Sequence, residues 1–85
     1  MALTPKGSQA ARALLDLTVD DLAELAGVSH MSVVRFERGE NVRGSTVETL
    51  KTALEAQRIN IEGMPYKVQI QNDGQPGARL VRAKT

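Results

Sequence analysis

The chain has 85 residues, 41% of them hydrophobic and 25% charged, which suits one small globular domain and excludes a disordered polyelectrolyte. It has no cysteine, one histidine (His30) and two aromatic residues, Phe36 and Tyr66; this excludes disulfide frameworks, thiolate zinc sites, a cysteine nucleophile and a histidine metal cluster. The net charge of +1 hides a split, −2 over residues 1–57 and +3 over residues 58–85, so nucleic acid must be met by a local basic face and not by a polycation.

Taken in chain order, the first half reads as helices. Ser8 is a candidate N-cap for a helix through Ala10, Ala11, Ala13, Leu14 and Leu15. Thr18 with Asp21 three residues on is close to a capping box, and Leu22, Leu25 and Ala26 then recur at helical spacing. Gly27 suits a left-handed helix end. Ser29 is placed to cap a third helix, His30 to about Arg38, stopped by Gly39. Ser45 is placed to cap a fourth, Thr46 to about Gln57, with Val47, Leu50 and Leu54 on one face.

After residue 57 the period changes to two. Strands are expected over 58–62, 66–71 and 78–82, with Gly63-Met64-Pro65 as a break and Asn72-Asp73-Gly74 and Pro76-Gly77 as turns. The expected fold is mainly α, four or five helices with a short C-terminal β hairpin or small sheet. Residues 1–57 form the helical domain and residues 58–85 a β-type tail.

No apolar run approaches a membrane span, and Met1 to Gly7 lacks the apolar stretch of a signal peptide. A cytoplasmic protein with no membrane partner is the expectation.

Residues 19–38 carry the most specific pattern. Two short helices crossing steeply need a small residue at the crossing, which Ala23 supplies. They need a glycine in the turn (Gly27) and an apolar turn residue beneath it (Val28). They also need an inward pair on the second helix, Val33 and Phe36, to meet Leu22 and Ala23. With that pair turned inward, His30, Val34 and Arg38 face out, flanked by Met31 and Arg35. Arginine can read guanine edges bidentately, and apolar side chains can meet thymine methyl groups.

The stretch LTVDDLAELAGVSHMSVVRFERGE resembles the Xre/Cro-type helix-turn-helix family of phage and bacterial repressors, over roughly residues 8–57. The resemblance implies a lambda-repressor-like domain of four or five helices that docks its third helix in the DNA major groove, usually as a dimer. Carried over by position, it implies base contacts from His30, Met31 and Arg35, which Val34 on the same face joins. It implies phosphate contacts from Ser29, Ser32 and Arg43, with Arg38 beside them, and a structural pair between Arg12 and Glu37. One position departs: many members begin the second helix with a glutamine that grips phosphate, and this chain has Val19 followed by Asp20 and Asp21. Some members are antitoxins or bind other proteins.

The tail is expected to form a dimer interface through Ile59, Ile61, Tyr66, Val68, Ile70 and Leu80, because a small sheet with open edges is a liability in a monomer. On that reading the helices close around one another and fold without residues 63–85. The function expected is a sequence-specific DNA-binding regulator, a repressor or autoregulator, held as a homodimer on an inverted-repeat operator of double-stranded DNA. The alternative is an antiactivator or antitoxin of the same fold that sequesters a protein partner. No catalytic residue, metal site or cofactor is expected. Asp20 and Asp21 are adjacent and so diverge on a helix, and Gly39 and Gly44 merely flank a connection.

Overall fold

Four helices are followed by a three-stranded antiparallel sheet: α1 (Pro5–Leu15), α2 (Val19–Ala26), α3 (His30–Glu37), α4 (Gly44–Ala56), β1 (Ile59–Ile61), β2 (Met64–Gln71) and β3 (Gly77–Arg82). The structure, a computed structural model, describes residues 2–71 and 77–84. The turn signals at Asn72 to Gly74 and at Pro76 lie outside the described residues.

Local chemistry sets most of the boundaries. Thr18 and Asp21 form a reciprocal capping box at the start of α2, and Gly27 ends it in the left-handed region at φ 69°. Ser29 caps α3 by accepting the Ser32 amide at 3.1 Å. Two expected caps fall elsewhere. The α1 helix starts one turn earlier than Ser8: Thr4 accepts the Gly7 amide at 3.0 Å, and Pro5 occupies the first helical position, where its missing N–H is not needed. Ser8 is instead a buried helical residue. Nor does Ser45 cap α4, which begins at Gly44 with Arg43 in the cap position and no side-chain cap at all.

The sheet is an antiparallel meander in the order β1-β2-β3. Ile61 pairs with Met64, so β1 and β2 are joined by the two-residue turn Glu62-Gly63, at φ 51° and 81°. Both positive angles are what a tight hairpin requires, and glycine meets the second one without strain. Of the expected break at Gly63-Met64-Pro65, only Gly63 is in the turn, and Met64 and Pro65 belong to β2. Pro65 opposes Asn60, and its carbonyl accepts the Ala83 amide at 2.9 Å.

Among the described residues, helices and sheet share one core. Leu22, Val33, Leu50 and Leu54 from the helices are fully buried, and Val68 and Ile70 of β2 belong to the same cluster. Val68 opposes Leu80 and Ile70 opposes Ala78, so these residues share one face of the sheet, which packs on α1 and α4. This corrects the reading of the tail. Four short helices leave one side of α1 and α4 open, and the sheet closes it. Val68 and Ile70 are buried within the protomer and cannot also form a dimer interface, and Leu80 packs against the same core. Burial of a Val or Ile of this kind contributes about 1.5–3 kcal/mol, so β2 and β3 are part of the fold.

Candidate nucleic-acid interface

The turn between α2 and α3 has the expected packing. Leu22 and Ala23 are buried with Val33 and Phe36, and the Val28 amide reaches back to the Ala23 carbonyl at 3.0 Å. This locks α3 across α2 and turns its opposite side outward.

On that outer side His30, Met31, Arg35 and Arg38 are exposed, while Val34 and Ser32 are half-buried. Ser29 precedes them, its hydroxyl 2.9 Å from that of Ser32. Arg43 is exposed in the connection that follows α3. The first turn of α3 thus presents hydroxyls and a histidine, and its second turn presents arginine. Arg38 has a carboxylate nearby, Glu40, at 3.9 Å, which is beyond hydrogen-bond reach.

Beneath this face lies a polar buttress. Glu37 accepts Arg12 Nε on Oε2 at 2.9 Å and Arg12 Nη2 on Oε1 at 2.7 Å, and the Ser8 hydroxyl donates to Oε2 at 2.6 Å. Arg12 also holds the Leu17 carbonyl at 3.1 Å, and Gln9 donates to the Glu37 carbonyl at 3.0 Å. The Glu37 side chain is only 8% exposed and that of Arg12 20%. The hydrogen bonds to Glu37 raise the pKa of the Arg12 guanidinium above its ordinary value. The end of α3 is therefore fixed to α1 by a bidentate charged contact, which has geometric specificity as well as strength.

Two features were missed in reading the sequence. His30 Nδ1 lies 2.5 Å from Asp20 Oδ1, so the first turn of α2 holds the first residue of α3. The signal was available in principle, since the crossing brings these two helix starts together. The second is the start of α4. Arg43 is a cap that makes no side-chain hydrogen bond, so no side chain of the cap covers the first amides at the positive end of the helix dipole, where Arg43, Gly44 and Ser45 are exposed.

Among the described residues, no group of three His, Asp or Glu could hold a metal ion. No helix among them is long and apolar enough to cross a membrane.

A helix-turn-helix family model matches residues 9–62, well over half of the chain. The chain belongs to the Xre/Cro-type helix-turn-helix family. Neither curated proteins nor solved structures gave a match to it. Xre-type domains are DNA-binding transcription regulators, and the matched segment contains α2, the turn and α3 in full. It ends at Glu62, so β2 and β3, which complete the core, lie beyond the match.

Proposed function

We propose that this Xre-type protein is a repressor or autoregulator that binds an inverted-repeat operator as a homodimer. The observation that carries the reading is the outer face of α3, with exposed His30, Met31 and Arg35 held by an inward-packed Val33 and Phe36. In this reading Arg35 reads a guanine edge, while Met31 and Val34 meet thymine methyl groups. His30 contributes through Nε2: when the neutral ring donates its Nδ1 proton to Asp20, Nε2 is left as an acceptor for an exocyclic amine. Ser29, Ser32, Arg38 and Arg43 take phosphate oxygens, and the uncapped start of α4 adds backbone amides to the same task. Repression is steric, since a dimer occupying two half-sites about 34 Å apart blocks polymerase.

Asp20 and Asp21 at the start of α2 favour a second reading, an antitoxin or antiactivator that binds protein, because they stand where a phosphate would approach. Selection from random duplexes at low salt separates the two. Enrichment of an inverted repeat supports DNA readout. No enriched motif at all leaves the protein-binding reading.

A further inference from the structure

A groove runs between α2 and α4, and no residue of α3 lines it. It consists of two adjoining hollows, of ≈ 460 Å³ and ≈ 300 Å³, that share Leu25 and Gln57. Ala26, Ala53 and Ala56 flank Leu25 in the larger one, and the smaller one reaches Leu17. Leu25 is 47% exposed, more than any other large apolar side chain among the described residues.

The polar groups of the α4 wall are turned back on their own helix. The Thr49 hydroxyl donates to the Ser45 carbonyl at 2.8 Å, and Gln57 Nε2 donates to the Ala53 carbonyl at 3.0 Å. What faces the groove is therefore mainly methyl and methylene, and the alanines let another backbone come close.

The rim has one sign. Glu48 borders the larger hollow, Asp21 and Glu24 border the smaller, and no lysine or arginine lines either. The chain carries no Lys or Arg between Arg12 and Arg35, a stretch that holds Asp16, Asp20, Asp21 and Glu24. Arg58 follows Gln57 but has its guanidinium on the Glu55 and Gln57 carbonyls, at 3.0 Å each. From Glu48 to Gln57 the α4 wall is about 13 Å long at 1.5 Å per residue, which matches about two and a half turns of a second helix.

We infer that this groove docks a basic amphipathic helix of a partner protein. Apolar side chains at i and i+4 of that helix lie over Leu25 and the alanines, and its lysines or arginines meet Glu24 and Glu48. The site uses no part of α3, so it goes beyond the operator reading and gives protein binding a surface of its own. Charge complementarity selects the occupant. Three carboxylates repel nucleic acid, which excludes a second DNA site. A small molecule needs a few convergent polar groups, and those of the α4 wall are committed to their own helix. A second copy has one face of the right chemistry, the Met31, Val34 and Arg35 side of α3, and the test separates that case.

Peptides of about 16 residues, long enough to form a helix on binding, are selected from a random display library on the immobilised full chain, without DNA. The best peptide is then synthesised and titrated by fluorescence anisotropy. The enriched sequences carry Leu, Ile or Met four residues apart and at least two Lys or Arg. Leu25→Asp weakens the selected peptide about tenfold or more, since it puts a charge where an anchor packs. Glu24→Lys and Glu48→Lys each weaken it several-fold, and these losses shrink as added salt screens the exposed charges. A peptide with the facing lysine changed to glutamate regains affinity for Glu48→Lys. Leu25, Glu24 and Glu48 are all exposed, and thermal unfolding of each variant confirms an intact fold.

Acidic or uncharged winners, no enrichment at all, or a selected peptide indifferent to Leu25→Asp would each overturn the assignment. Sedimentation of the chain alone supplies the remaining arm. An oligomer that Leu25→Asp dissolves would give the groove to a second copy and overturn the partner helix. Because no DNA is present, any of these failures leaves base reading by α3 standing. Failure of the chain to select an operator would, conversely, leave the peptide result unchanged.

Discussion

Arg12 and Glu37, twenty-five residues apart, meet through two parallel hydrogen bonds of 2.9 and 2.7 Å, and this contact fixes the end of α3 to α1. Glu37 is the more buried partner, so the two deletions should not be equal. Arg12→Ala leaves a buried carboxylate with only the Ser8 hydroxyl, Gln9 being bonded to the backbone carbonyl instead. We expect Arg12→Ala to destabilise by about 3 kcal/mol, and the double change Arg12→Met with Glu37→Leu by much less, because it removes both charges together. Urea unfolding of the three proteins checks this. Equal losses in the single and double variants would mean that the charges matter little.

The tail makes a second test. Since Val68 and Ile70 are core residues, Ile70→Ala is expected to cost about 2–4 kcal/mol, and removal of residues 63–85 to abolish cooperative unfolding. Circular dichroism melts of both proteins measure it. A truncated chain that still unfolds sharply near the wild-type temperature would show that the helices close without the sheet.

How much of this was legible beforehand follows from the range of the interactions involved. The α2-turn-α3 unit was readable because its requirements are local: Ala23, Gly27, Val28, Val33 and Phe36 lie within fourteen residues, and each has a steric reason. The α2 and α3 caps were readable for the same reason. The first cap was misplaced because Ser8 looks like a cap until a buried acceptor, Glu37, claims its hydroxyl from a distant helix. The tail was misjudged on a question of partners. Alternation shows that Val68 and Ile70 face something apolar, but it cannot tell the chain's own α1 and α4 from a second copy. His30, read as a base contact, and Asp20, read only as an acid that diverges from Asp21, were not brought together, because their meeting depends on the crossing of two helices.

That meeting gives a third expectation. Asp20→Asn removes a negative charge where phosphate would approach and loosens the tether on the imidazole. DNA affinity should rise modestly, by on the order of 0.5 kcal/mol, the size of an exposed charge effect. Preference at the base pair under His30 should fall. Titration of a labelled operator and its variant at that position reports both. An unchanged preference would show that Asp20 has no part in orienting His30.

The capping box predicts a pH dependence. Hydrogen bonds from the Thr18 amide and hydroxyl hold the Asp21 carboxyl below its ordinary pKa. A depressed carboxyl stabilises the fold above its unfolded value, about 3.9, and that contribution is lost as pH falls through the lower folded value. The stability difference between wild type and Asp21→Asn should therefore be full near neutrality and shrink as pH falls through the lowered folded value. A difference that persists in acid would assign the cap to the hydrogen bond alone.

The central claim, that α3 reads base edges while the residues after it hold the backbone, is tested most directly by comparing Arg35→Ala with Arg43→Ala over an operator library and a salt series. Arg35→Ala should relax preference at one base pair, costing about 1–3 kcal/mol there, with other positions unchanged. Arg43→Ala should weaken every sequence alike and lower the salt slope by about one. If Arg43→Ala shifts the preferred base while Arg35→Ala only weakens binding uniformly, α3 is not the reading element and the docking described here is wrong.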